Sequence, residues 1–117
     1  MFLQLAHTKL DVFKFSQELA MECYKITKLL PDAEKFAMVQ QIRRAALSVH
    51  LNIAEGRSGK SKADRKRFFE ISRGSVIEID AAIGIAHKLT YVKSEELQTL
   101  GENIIKTFKL LSGMLDK

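Results

Sequence analysis

A chain of 117 residues can bury one hydrophobic core but not two. Its make-up, 46% hydrophobic and 28% charged with a single proline, fits a globular domain rich in helix and argues against a fold of many tight turns. The one cysteine excludes an intramolecular disulfide. No apolar run approaches the roughly 20 residues that span a bilayer, and the opening MFLQLAHTK lacks the charged start and long apolar stretch of a signal peptide, so a cytoplasmic protein without membrane contact is expected.

Four amphipathic segments follow one another. From about 10 to 30, Val12, Phe15, Leu19, Cys23, Ile26 and Leu30 recur at steps of three and four, which marks one helix face. Phe13, Ala20 and Tyr24 form a neighbouring stripe, and Cys23 reads as a small buried side chain. Pro31 and Asp32 end this helix, with Asp32 offered as N-cap of the next. Over about 33–55 the core stripe is Phe36, Val39, Ile42, Ala46, Val49 and Ile53. Ala37, Leu47 and Leu51 fall off it, and this second apolar set hints at a subunit interface. Gly56 is placed as the helix stop, before a short polar link.

The third segment, about 61–89, opens with Ser61 and Asp64 in a loose capping box. Arg65, Phe68, Ser72, Val76, Ile79, Ile83 and Ala86 mark one face, with Phe69 beside it. Gly74, Ser75 and Gly84 cost helix propensity, and close helix–helix approach would explain them. After a turn at 90–93, Ser94 is the expected N-cap of a helix over 94–115, where Glu95 and Glu96 suit the positive end of the dipole. Leu97, Leu100, Ile104, Phe108, Leu111 and Leu115 repeat on the helical spacing. With no alternating strand pattern, the sequence predicts a single all-α domain, an antiparallel up-down-up-down four-helix bundle.

The formal net charge of +5 is concentrated. Arg57, Lys60, Lys62, Arg65, Lys66, Arg67 and Arg73 face only Asp64 and Glu70 over residues 57–73, so this segment carries the whole excess. Such a cluster attracts polyanions by steering and counterion release, or else serves as a solvated helix start.

Familiar catalytic and metal motifs are absent. Gly56–Ser61 reads GRSGKS, but a phosphate loop needs glycine where Ala54 stands and a strand before it. The di-metal bundles use Glu-x-x-His, whereas His7, His50 and His87 follow Gln4, Leu47 and Gly84 at that spacing. No cofactor or enzymatic activity is therefore expected. Glu55, Glu78 and Asp80 lie near helix core faces. One reading pairs them with Arg43, Arg44 or Arg73 and with Asn52, since buried charges need partners; the other makes them a polar pocket or partner contact. The adjacent Arg43 and Arg44 project about 100° apart, so one can face inward and the other a partner.

These residues together carry a resemblance. The chain resembles the four-helix bundle proteins encoded in intervening sequences of bacterial large-subunit (23S) ribosomal RNA genes, which pass as a ribosomal protein family. The likeness covers about 10–115, and its most specific part is QIRRAALSVHLNIAEG at Gln41–Gly56. Leu10-Asp11-Val12, Pro31, Gly74-Ser75 with Glu78, and Tyr91 support it. The family often has tryptophan where Phe13 stands, proline where His50 stands and glycine where Thr90 stands. The resemblance implies a homopentamer with a central channel, no enzymatic activity and no cofactor. The accessory protein of diversity-generating retroelements is similarly pentameric and basic, and it binds a reverse transcriptase and nucleic acid.

The expectation is thus a non-enzymatic homo-oligomer that binds nucleic acid, structured RNA above all. Arg44, Arg57, Lys60, Lys62, Arg65, Lys66 and Arg67 would meet phosphates, and Arg43, Asn52, Glu55 and Glu78 would form a structural polar network. The alternative is a protein-interaction scaffold or accessory subunit, for example of a reverse transcriptase. A passenger with no partner but itself is a third reading.

Overall fold

The computed structural model describes Leu5 and residues 10–116. His7 and most of the opening MFLQLAHTK lie outside the described residues. Four helices make up most of the described chain: α1 (Asp11–Thr27), α2 (Met38–Arg57), α3 (Lys62–Lys88) and α4 (Gln98–Leu115). Short 3₁₀ turns at Asp32–Glu34 and Ser94–Leu97 lead towards α2 and into α4, and no strand occurs among the described residues. Each helix buries one strongly apolar stripe at the predicted spacing, although Phe108, expected on the α4 stripe, is 37% exposed. Leu19, Ile42, Ile53, Ile79, Leu100 and Leu111 are less than 2% exposed, and burying such a side chain stabilises by about 1.5–3 kcal/mol.

Helix α1 packs on α2 and α4, and α3 packs on the same two. Named contacts give the register. Near one end, Phe13 stacks on His50 with ring centroids 4.2 Å apart, and Ser16 Oγ lies 2.8 Å from His50 Nδ1. Further along, Arg43 Nε donates to Thr27 Oγ1 at 2.8 Å, and its guanidinium lies over the Tyr24 ring at 4.7 Å. Between α2 and α3, Gly56 meets Phe69, Ser72 Oγ donates to the Val49 carbonyl at 2.7 Å, Ser75 Oγ donates to Ser48 Oγ at 2.9 Å, and Gln41 Nε2 donates to Glu78 at 2.8 Å.

Several expectations about element ends are corrected. Helix α1 stops at Thr27, and the amides of Lys28, Leu29 and Leu30 bond back three residues, which tightens the exit into a turn. Asp32 caps no helix. It opens the 3₁₀ turn without a side-chain cap bond, and α2 begins only at Met38. Phe36 therefore sits in the link and not on the core stripe; it is 79% exposed, with the Lys35 ammonium 5.5 Å from its ring. Gly56 is no helix stop, because α2 continues to Arg57 and Ser58 is the C-cap. Ser94 caps nothing either. Lys93 precedes the turn, its amide donates to Glu96 Oε1 at 2.9 Å, and the Ser94 hydroxyl bonds His87 Nε2 at 3.0 Å.

Two glycine positions also differ from expectation. A Cβ built at Gly74 or Gly84 would meet nothing within 4 Å, so no close approach inside the chain explains either residue. Gly56 is the crowded one. A Cβ there would lie 2.6 Å from Phe69 Cε1, so the ring packs where only hydrogen fits. The exit from α3 is closed by Thr90 N–H to His87 O and Tyr91 N–H to Ala86 O, both 3.0 Å, the double bond pattern of a Schellman cap. Thr90 occupies the left-handed position with φ 62°, a strained place for a β-branched residue.

Candidate nucleic-acid interface

The α2–α3 corner gathers the basic residues. The amide of Ser58 bonds the carbonyls of Ala54 and Glu55, both at 3.2 Å, which closes α2. Ser61 Oγ then accepts from the Asp64 amide at 3.1 Å, so the predicted cap of α3 is present. Between them the chain folds tightly under Arg65. Its Nη1 donates to the Gly59 carbonyl at 3.2 Å, and a Cβ at Gly59 would lie 2.9 Å from Arg65 Cγ. Arg65 is thus half-buried and holds the corner, while Arg57, Lys60, Lys62, Lys66 and Arg67 remain exposed.

These cations are barely compensated. Among the described residues the one ion pair is Lys66–Glu70 at 4.0 Å, with both side chains more than half exposed. A pair of that kind contributes little. The guanidinium of Arg67 lies over the Phe68 ring at 4.8 Å, which orients it without neutralising it. Phe69, and not Phe68, is the buried aromatic, and it is fixed against Gly56.

Two arginines expected near this surface lie elsewhere. Arg44 is exposed on α2, thirteen residues before Arg57, which places it about 20 Å away along the axis. Arg73 turns towards α4, donating to Ser112 Oγ at 3.2 Å with Phe108 6.0 Å away.

The expected network of Arg43, Asn52, Glu55 and Glu78 does not come together. Arg43 reaches across to α1, where it bonds Thr27 and, at 3.3 Å, the Tyr24 carbonyl. Asn52 bonds back to Ser48 at 2.8 Å, Glu78 accepts from Gln41, and Glu55 is exposed. The carboxylates face outward rather than into the core, so they need no arginine. Ser16 and His50, by contrast, form a part-buried polar contact that no local sequence pattern announces, because they stand 34 residues apart.

Cys23 and Tyr91 are perturbed, and neither faces the basic corner. Burial, helped by the nearby Glu22 charge, pushes the Cys23 thiol up to about 12. The Tyr91 hydroxyl donates to Glu34 Oε2 at 3.0 Å, and this bond holds the phenol above its usual range. Among the described residues no three His, Cys, Asp or Glu side chains group so as to hold a metal, and no helix is long and apolar enough to cross a membrane.

Residues 8–113 match the family model of the 23S rRNA-intervening sequence proteins. The chain belongs to that family. Among solved structures, this family member is similar to a protein of unknown function from the S23 ribosomal protein family of Bacteroides thetaiotaomicron. The TM-score is 0.83 at 24% identity, over 91% of this chain and 99% of the other. That likeness establishes the shared four-helix fold. No curated protein matches this family member's sequence.

Proposed function

We propose that this family member is a non-enzymatic, cytoplasmic, homo-oligomeric protein that binds structured RNA through the α2–α3 corner. One observation carries the reading: Arg57, Lys60, Lys62, Lys66 and Arg67 are exposed around a single turn, with one weak ion pair among them. Uncompensated cations at that density gain free energy by displacing counterions from a polyanion. Phosphate contacts position a nucleic acid without reading its sequence, so preference for RNA would rest on shape.

The contact register between neighbouring helices supports an antiparallel up-down-up-down bundle. The outer faces support assembly. Leu47 and Leu51 are exposed on α2, while Ile77, Ile105 and Phe108 are exposed along a groove between α3 and α4. Gly84 and Gly101 line the adjoining part of that groove, with open space where a Cβ would stand. Two different apolar faces on one chain suit head-to-tail contacts, which form a ring when the rotation between neighbours closes. The family resemblance implies a ring of five, and a fivefold array would multiply a weak patch through avidity.

The same apolar faces favour a second reading, in which they recruit another protein and this chain is a scaffold or accessory subunit. Reversing Lys60, Lys62 and Arg67 to glutamate separates the two. These exposed side chains support no core contact, so helicity should persist while RNA affinity falls at least tenfold. Unchanged affinity would end the RNA reading and leave the scaffold.

A further inference from the structure

Beside the basic corner, the first turns of α3 meet the last turn of α4 and leave a cleft of about 240 Å³. Lys62, Arg65, Lys66 and Phe69 line one wall, and Met114 and Leu115 line the other. The four α3 residues are spaced i, i+3, i+4, i+7, so they form one stripe along the helix. The cleft therefore has cations towards one side and an apolar floor. The floor is firm, because Phe69 is 8% exposed and its ring is held against Gly56.

We propose that this cleft receives an unpaired base of the bound RNA, with Lys62 and Lys66 meeting the phosphates on either side. The inference rests on the RNA reading above and adds what that reading lacks, a reason to prefer RNA with unpaired nucleotides over continuous duplex. Three observations favour a base over other anionic occupants. The volume lies below the roughly 300–1,000 Å³ typical of pockets for drug-sized ligands, so it suits one planar ring. An aromatic, a thioether and an aliphatic side chain together offer the dispersive surface that a base loses when it leaves its stack. Cations stand at the spacing of a helical stripe next to that surface, where a backbone would run.

The lining also sets a limit on selectivity. It contains no Asn, Gln, Asp or Glu to read base edges, and of the cations that could read guanine, Arg65 is committed to the Gly59 carbonyl while Lys62 and Lys66 are assigned to phosphates. The cleft should accept any of the four bases, selecting for an unpaired nucleotide and not for its identity.

The test uses the full chain, a hairpin RNA with an unpaired loop, and a perfectly paired RNA duplex with the same number of phosphates. The wild type should bind the hairpin at least fivefold more tightly, as expected for one stacked base. A 2-aminopurine placed in the loop should change its fluorescence on binding. Met114→Gln and Leu115→Gln, uncharged and on half-exposed positions, should remove the preference and the fluorescence change while leaving duplex affinity and its salt slope in place. Equal affinity for hairpin and duplex would overturn the cleft proposal and leave the basic corner as a phosphate-binding surface. A preference that survives both substitutions would likewise overturn it. Failure to bind either RNA at low salt would remove the cleft proposal together with the RNA reading itself.

Discussion

Replacing Gly56 by alanine tests the tightest packing contact in the fold. Gly56 lies inside α2 without a positive φ, so helix propensity alone would reward alanine by about 0.8–1 kcal/mol. The new Cβ, however, would stand 2.6 Å from Cε1, 2.8 Å from Cδ1 and 3.0 Å from Cζ of Phe69. The ring is buried and cannot swing into solvent, so the helices must part or the ring must leave its rotamer. Overpacking of this kind costs about 1–3 kcal/mol. Gly74 supplies the control: it is also helical, and a Cβ there meets nothing within 4 Å. Gly74→Ala should therefore stabilise by about 0.5–1 kcal/mol, as propensity dictates. The propensity gain is common to both variants, so the difference between them isolates the steric cost, about 1–3 kcal/mol, or very roughly 4–12 °C in midpoint. Urea and thermal unfolding followed by circular dichroism would measure it, and Phe69→Leu in the Gly56→Ala background should recover part of the loss. Equal stability of Gly56→Ala and Gly74→Ala would refute the reasoning.

Other substitutions probe separate links of the account. Thr90→Gly should stabilise by about 1 kcal/mol, because the left-handed φ of 62° penalises a β-branched residue and not glycine; a loss of stability on unfolding in urea would contradict that. Arg43→Met should cost about 1–2 kcal/mol through the lost bonds to Thr27 and Tyr24, whereas Arg44→Met, on an exposed position, should stay within about 0.5 kcal/mol in the same assay. Cys23 should resist a thiol reagent in the native state. Its thiol rises from 9.0 to about 12 in the fold, so the stability it contributes is complete below pH 9 and fades as pH climbs towards 12. Cys23→Ala should flatten the alkaline fall of unfolding free energy over that window, and an unchanged slope would count against the assignment.

The four helices were legible because each carries a long stripe at steps of three and four, and α3 was bounded to within a residue by Ser61 and Leu89. Phe36 misled because an apolar residue two places before α2 continues the same spacing, and only the dihedral break at Ala37 takes it out of the helix. Gly56 misled for a related reason. A glycine near a helix end suggests a stop, but here it answers to Phe69, thirteen residues away and across a corner. The polar residues were least legible of all. Arg43 finds Thr27 rather than a carboxylate, because the carboxylates expected beside it face solvent and satisfy themselves in water. The basic corner was plain from charge density alone, yet its membership was not: Arg44 and Arg73 have the right charge and the wrong place. The cleft beside it had no sequence signal, since Met114 and Leu115 meet Lys62 and Phe69 only through the packing of α4 on α3.

The most direct test of the central claim is a titration of the purified protein against a labelled structured RNA at two salt concentrations, with duplex DNA of equal length alongside. Tighter binding to the RNA is expected, weakening steeply as salt rises, because each phosphate met by Arg57, Lys60, Lys62, Lys66 or Arg67 returns a counterion. Absence of binding even at low salt, or binding indifferent to salt, would contradict it.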